Sequence, residues 1–141
     1  MRLLGLDVGS RTIGAAISDD DGVVATPLRT LRRSGGQRDL EAVAALYAET
    51  GAQGLVVGLP LSMNGDEGAA ARRVRVLGDA LAVHLRCTIS YEDERFTTVQ
   101  AERVLIDADV SRRRRKQVVD HVAAALILQA YLDRRAAEAV R

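Results

Sequence analysis

"LLGLDVGSRTIGAAISDDDG", residues 3–22, sets a single carboxylate, Asp7, inside a hydrophobic run and brackets it with Gly5 and Gly9. A buried, unpaired carboxylate is costly to desolvate, so Asp7 calls for a partner, a metal ion or an open cleft. The same stretch decides the fold. "RLLGLDVG" and "RTIGAAISD" are short β-type runs, and a third, "GVVATPLRTLRR", follows the "DDDG" turn. Three such runs broken by Gly and Asp predict an antiparallel meander.

Beyond the meander the pattern changes period. From Asp39, the apolar residues Leu40, Val43, Ala44 and Tyr47 fall at helical spacing and stop before Gly51. "GLVVGLP" (54–60) is short and continuously apolar, as a strand covered on both faces would be. "SMNGDEG" leads into a helix with a stripe of Val74, Leu77 and Leu81, and Asn64 with Glu67 has capping-box spacing. "CTISYED" (87–93) predicts a further strand. "TTVQAERVLI" (97–106) predicts a helix, with Thr97 and Gln100 again at capping-box spacing. "VVDHVAAALILQAYLDRR" (118–135) has almost no polar face for three turns and reads as a helix buried on two sides. The order βββ-α-β-α-β-α-α predicts one α/β domain over residues 1–141, a mixed sheet with helices on both faces.

Composition narrows the function classes. With 48% hydrophobic and 28% charged residues and only two prolines, the chain is globular. No apolar run approaches the roughly 18 residues of a membrane span, and the N-terminus lacks a signal-peptide layout. The single cysteine, Cys87, excludes an internal disulfide, fits a reducing cytoplasm and reads as a small buried hydrophobe. Charge is uneven. Residues 1–94 carry 10 basic and 13 acidic side chains, whereas residues 95–141 carry 10 and 6. Much of that basic excess is the run Arg112, Arg113, Arg114, Arg115 and Lys116, expected as a loop that is either solvated or tracks phosphates.

In α/β sheets, sites form where loops diverge at the carboxyl ends of strands. Asp7 is near the end of the first strand, Glu92, Asp93 and Glu94 follow the fifth, and Asp120 starts the last helix, followed by the small Ala123, Ala124 and Ala125. With the first strand central, Asp7 can face Asp120 while Glu94 approaches from the side. Three converging carboxylates repel and raise one another's pKa. Hard cations such as Mg²⁺ or Mn²⁺ relieve that repulsion, and two of them about 3.5–4 Å apart can cleave a phosphodiester. Spacing alone also accommodates turn, cap and surface ion-pair roles for the same residues.

"GLDVGSRTIGAAISD", "VVGLPLSMNGDEG", "YEDERFTTVQAE" and "VDHVAAALILQAYL" together resemble the YqgF/RuvX family, in order and over Leu4 to Leu132. The resemblance implies an RNase H-like fold and a divalent-metal nuclease that acts as a Holliday-junction resolvase or a pre-16S rRNA nuclease. It places the family's acids on Asp7, on Glu94 with Asp93 in reserve, and on Asp120. It also implies that Arg95, with Thr97 or Thr98, sits near the scissile phosphate, the threonines alternatively capping a helix. Asn64, with Ser62 and Gly65, either contacts the nucleic-acid backbone or shapes a turn. His121, beside the third acid, is expected to be a partly exposed helix residue or else a proton carrier, and His84 to be without chemistry.

Placed just ahead of Asp120, the basic run at 112–116 gains weight as a backbone contact. Tyr91 and Phe96 are the sole aromatic cluster, so recognition is expected to rest on phosphate charge and shape, with little base stacking. The expected partners are structured RNA such as pre-rRNA, or branched DNA, and no membrane. Junction resolution would call for a homodimer, with the outer side of the last helix as a candidate surface. An ATP-binding protein of the actin–hexokinase type is disfavoured, since that architecture pairs two such domains. A non-catalytic RNA-binding assembly factor would tolerate loss of Asp7.

Overall fold

The computed structural model describes residues 1–95, the backbone of 112–120, and residues 121–140. The helix expected over 97–106, with Thr97 and Thr98, lies outside the described residues, as does Phe96. The elements are β1 (Leu3–Val8), β2 (Thr12–Ser18), β3 (Ala25–Arg32), α1 (Gly36–Thr50), β4 (Gly54–Leu59), α2 (Ala69–Leu85), β5 (Thr88–Asp93) and a last helix, here α3 (Arg112–Ala139). The sheet order is β3-β2-β1-β4-β5. The expected meander forms the antiparallel half, and β4 and β5 add to β1 in parallel. The first strand is therefore central.

Alternation along β1 assigns its two faces. Leu4 and Leu6 point into a core shared with Val43 and Leu46 of α1 and Val74, Leu77 and Leu81 of α2. Leu3 points the other way, into a second core with Val56 of β4 and Ala124, Ile127 and Leu128 of α3. Each fully buried leucine stabilises the fold by about 1.5–3 kcal/mol relative to exposure. By the period of two, Gly5 and Asp7 share the α3 face. Gly5 lets the helix come close, because a Cβ there would lie 2.8 Å from Leu128 Cβ and 3.3 Å from the Ala124 carbonyl oxygen. The run of small residues at 123–125 thus does what it was expected to do. β4 is buried throughout, as its unbroken apolar run predicts.

Four expectations need correction. The apolar stripe read on α1 is offset, and the buried positions are Asp39, Val43 and Leu46. Asp39 is drawn inward because Arg33 and the Ser34 N–H satisfy its carboxylate. The capping box of Asn64 and Glu67 does not form: α2 begins only at Ala69, with Gly68 at its cap and no side-chain cap bond. Asn64 instead closes its own turn, accepting from the Asp66 N–H at 3.2 Å, and Glu67 accepts from Arg75 Nε at 2.8 Å. Residues 112–116 are not a loop but the opening turns of α3. Arginine and lysine are good helix formers, and nothing between 112 and 118 breaks a helix. Cys87 is half-buried rather than buried, packing against the first core from just outside β5.

Two stitches fix α3 along the meander. Gln129 accepts from the Ala25 N–H at 2.8 Å and donates to the Val23 carbonyl at 2.9 Å, while His121 Nδ1 lies 2.8 Å from Thr30 Oγ1. Moving from Gln129 back to His121 follows β3 towards its carboxyl end, so the N-terminal half of α3 lies at the end of the sheet where β1 finishes. Gly5→Ala is expected to cost about 1–3 kcal/mol by overpacking against Leu128, measurable as a fall in the denaturant midpoint at unchanged m-value.

Candidate active site

The carboxyl ends of β1, β4 and β5 meet at a cleft of about 340 Å³, whose lining includes Asp7, Ser10, Pro60, Glu94, Arg33 and Arg73. Asp7 is half-buried near the end of β1. Glu94 immediately follows β5 and is held in place by its backbone, whose N–H donates to the Leu59 carbonyl at 3.3 Å. Its carboxylate turns back over β4 to lie against Asp7. Gly58 makes room for this: a Cβ at that position would collide with the Glu94 carboxylate and would lie 2.6 Å from Ile127 Cδ1.

This packing has an electrostatic cost. Glu94 Oε2 is buried and has no hydrogen-bond partner among the described residues. Burial, then the neighbouring charge of Asp7, push the Glu94 carboxyl up from 4.5 to about 8. Two acids crowded together with an unsatisfied buried oxygen fit a hard divalent cation, which takes carboxylate oxygens directly. Among the described residues no group of three His, Cys, Asp or Glu side chains converges. The third sequence candidate, Asp120, is described only as backbone. It lies about two turns inside α3, not at its start, so helix capping does not explain it. Asp7, Gly14 and Thr30 are register partners across β1, β2 and β3. Thr30 bonds His121, so the residue next to Asp120 is anchored on the same row as Asp7.

The neighbouring residues take separate places. Asp93 is engaged by Arg95, whose Nε and Nη2 donate to Asp93 Oδ2 at 2.8 and 2.6 Å. That contact holds the Asp93 carboxyl below its usual range. Arg95 Nη1 also donates to the Met63 carbonyl at 3.1 Å. Arg95 therefore clamps the loop after β4 to the end of β5, and of the adjacent acids only Glu94 turns towards Asp7. Ser62, Asn64 and Gly65 form a self-contained turn, with the Gly65 N–H donating to the Ser62 carbonyl at 2.8 Å and Gly65 at φ 91°. His84 is exposed near the end of α2. The side chains of Arg112 to Lys116 lie outside the described residues.

Three residues of this region escaped the sequence reading. Gly58 carried a signal, since a glycine inside an apolar strand marks a close approach. Arg33 and Arg73 carried none, because their relation to the acids exists only in three dimensions.

Residues 1–134 match the RuvX family, described as Holliday junction resolvase. The chain belongs to the RuvX family. Among its curated relatives, "Putative pre-16S rRNA nuclease" from Moorella thermoacetica is 51% identical over 95% of this chain and 96% of its own length. A protein of the same name from Cereibacter sphaeroides is 49% identical over 94% and 82%. Among solved structures, T. thermophilus RuvC in complex with Holliday junction substrate superposes with a TM-score of 0.60 at 15% identity, covering 96% of each chain. The Fowlpox virus resolvase bound to junction DNA gives 0.63 at 10%, covering 96% and 99%. At such identities these likenesses establish the fold, which is RNase H-like. No described helix of this RuvX-family chain is long and apolar enough to cross a membrane.

The raised Glu94 pKa sets a pH dependence. A carboxyl that is harder to ionise in the folded state stabilises the fold fully below its unfolded pKa, near 4.5, and that stability is lost as pH rises through about 8. In EDTA, the melting temperature is expected to fall between pH 5 and 8. Glu94→Gln should flatten that fall when both proteins are followed by thermal melts.

Proposed function

We propose that this chain is a divalent-metal-dependent nuclease that hydrolyses phosphodiester bonds, with 5′-end processing of pre-16S rRNA as its role. One observation carries the chemistry: the Glu94 carboxylate is pressed against Asp7 with a buried oxygen that has no partner among the described residues. Without a cation, ionising both carboxyls in this arrangement costs stability. The names of the curated relatives favour the rRNA substrate, while the family description and the junction-bound structures support four-way DNA as the second reading. Cutting a junction symmetrically would also need a homodimer.

In this reading Asp7 and Glu94 hold Mg²⁺ or Mn²⁺, and Asp120 is the third ligand, delivered by α3. A pair of such ions, when bound, supplies an acidic water as nucleophile and stabilises the leaving oxygen. The chain's own residues arrange the rest. Gly58 leaves space for Glu94, and Gly5 with Ala124 lets α3 reach the strand ends. The stitch between His121 and Thr30 sets the height of Asp120 along the sheet. Arg95 acts by fixing the Asn64 turn against Asp93, so that loop and acids keep one geometry. Arg112 to Lys116, together with Thr97, Thr98 and Asn64, provide the phosphate contacts. Binding through these charges should weaken with salt by a log–log slope of about −0.7 per phosphate neutralised on a single strand.

The test is cleavage of end-labelled pre-16S rRNA and a four-way DNA junction in parallel, with Mg²⁺, Mn²⁺ or EDTA. Cutting should require the metal and be lost in Asp7→Asn, which removes a ligand charge with little change of shape. Faster cutting of the RNA supports the processing role, and faster cutting of the junction transfers the activity to the second reading. Binding without cutting, unchanged by Asp7→Asn, would leave an RNA-binding factor. Gly58→Ala should also lower kcat by at least about tenfold, since small displacements at a reacting centre cost about two orders of magnitude.

A further inference from the structure

The wall of the cleft facing the acids is basic. Arg33, just after β3, is held rigidly: its Nε donates to Asp39 Oδ2 at 3.1 Å and its Nη1 donates to the Gly9 carbonyl at 2.9 Å. Asp39 is only 3% exposed and also accepts the Ser34 N–H at 2.8 Å. Burial opposes its ionisation, but the Ser34 N–H and Arg33 outweigh that and hold its carboxyl below the usual range. The pair is therefore charged and fixed. Among the described residues Nη2 of Arg33 has no hydrogen-bond partner, although the side chain is 29% exposed. Arg73, exposed on α2, has no ion pair among the described residues and lines the same cleft.

The same two arginines also border a second hollow, a groove of about 330 Å³ between α1 and α2 floored by Leu40, Val76, Leu77 and Ala80. Val76 is 72% exposed, an apolar side chain with nothing over it among the described residues. Acids, arginines and an apolar groove thus follow one another without a break across the α1–α2 side of the site. A nucleic-acid strand presents the complementary order, with a phosphate at the acids, a neighbouring phosphate, and then an apolar sugar and base. A guanidinium that is already oriented loses little freedom on meeting a phosphate, which it binds with charge-assisted hydrogen bonds.

We propose that Arg33 and Arg73 form a nucleotide subsite beside the scissile position, binding the adjoining phosphate of the same single strand while its sugar and base cover the groove of Leu40, Val76, Leu77 and Ala80. This rests on the nuclease reading for the identity of the strand, but its test needs no cleavage. Asp39 is the positioning residue that aims Arg33, and Arg73 supplies the uncompensated charge.

The experiment measures binding of a short, unstructured, fluorescently labelled single-stranded RNA in EDTA, on an Asp7→Asn background, over a range of salt. Arg73→Ala should weaken binding about tenfold, as loss of one charge-assisted contact implies, and make the salt slope shallower by about 0.7. Arg72→Ala provides the matched control. It removes the same charge from the next position of α2, an exposed residue whose Nη1 donates to the Glu67 carbonyl, and it should leave the slope unchanged. Arg33→Lys keeps the charge but loses the fork, and should weaken binding while its thermal melt shows that the fold persists. Val76→Asn, which adds no charge, should weaken binding through the groove. Equal effects of Arg72→Ala and Arg73→Ala, or no effect of Arg73→Ala, would overturn the subsite. A shift in sedimentation with Val76→Asn at unchanged RNA affinity would make the groove a protein interface and overturn it equally. Should the wild-type chain bind RNA yet cut neither substrate, the nuclease reading fails while these binding differences still decide the subsite.

Discussion

The contact between Glu94 and Asp7 is the constraint to which the other features of the site answer. Two carboxylates share a space that is partly closed to water, and one oxygen is left without a partner among the described residues. Folding energy does not select such an arrangement, because burial and like charge both act against it. It persists because the sheet over-determines it. Glu94 is carried in by the parallel pairing of β5 with β4, where Leu59 opposes Asp93. Asp7 is carried in by β1, which is locked between β2 and β4 on either side. The backbones that carry the two acids are thus fixed by the register of the sheet.

The close approach of α3 depends on the same economy of side chains. Gly5 and Gly58 both lie under the helix, and each removes a Cβ that would strike it, at Leu128 in one case and at Ile127 in the other. Gly58 additionally lies beneath the Glu94 carboxylate. One missing methyl group therefore serves packing and chemistry together, so substitutions on the α3 face of β1 and β4 should couple stability to activity. The opposite face of the sheet carries ordinary packing of large side chains under α1 and α2.

Much of this was legible in the chain. Period-two runs and "DDDG" turn chemistry specify the meander, and the unbroken apolar run 54–59 specifies a doubly covered strand beside it. Asp7 was conspicuous because a carboxylate in an apolar run demands an explanation. What local pattern could not supply was the competition among neighbouring polar groups. Asp93 and Glu94 are adjacent acids that the period of two sends to opposite faces of the sheet, but that pattern does not reveal that Arg95 engages Asp93. Asn64 and Glu67 have the spacing of a capping box, but Asn64 closes its own turn and Arg75 engages Glu67. The stripe on α1 shifted for the same reason, since Arg33 makes Asp39 a buried residue. In each instance an arginine, silent in hydrophobic patterning, engages a carboxylate.

Arg33 and Arg95 show how this operates. Each has a carboxylate partner and a backbone carbonyl, Asp39 with Gly9 for one and Asp93 with Met63 for the other. Gly9 follows β1 and Met63 lies in the loop after β4, so each guanidinium fastens a connection that borders the cleft. The pairs differ in burial. Asp39 is enclosed, whereas the Asp93 side chain is 37% exposed. An exposed ion pair contributes little to stability, so the weight of the Arg95 contact lies in geometry. Removing a partner from an enclosed pair strands a charge and costs far more. Loss of Asp39 should therefore disturb the fold around β3 and α1, whereas loss of Asp93 should chiefly loosen the loop and leave Glu94 without a fixed neighbour. The acids of the cleft are thus held by the sheet from below and by two arginine clamps from the sides.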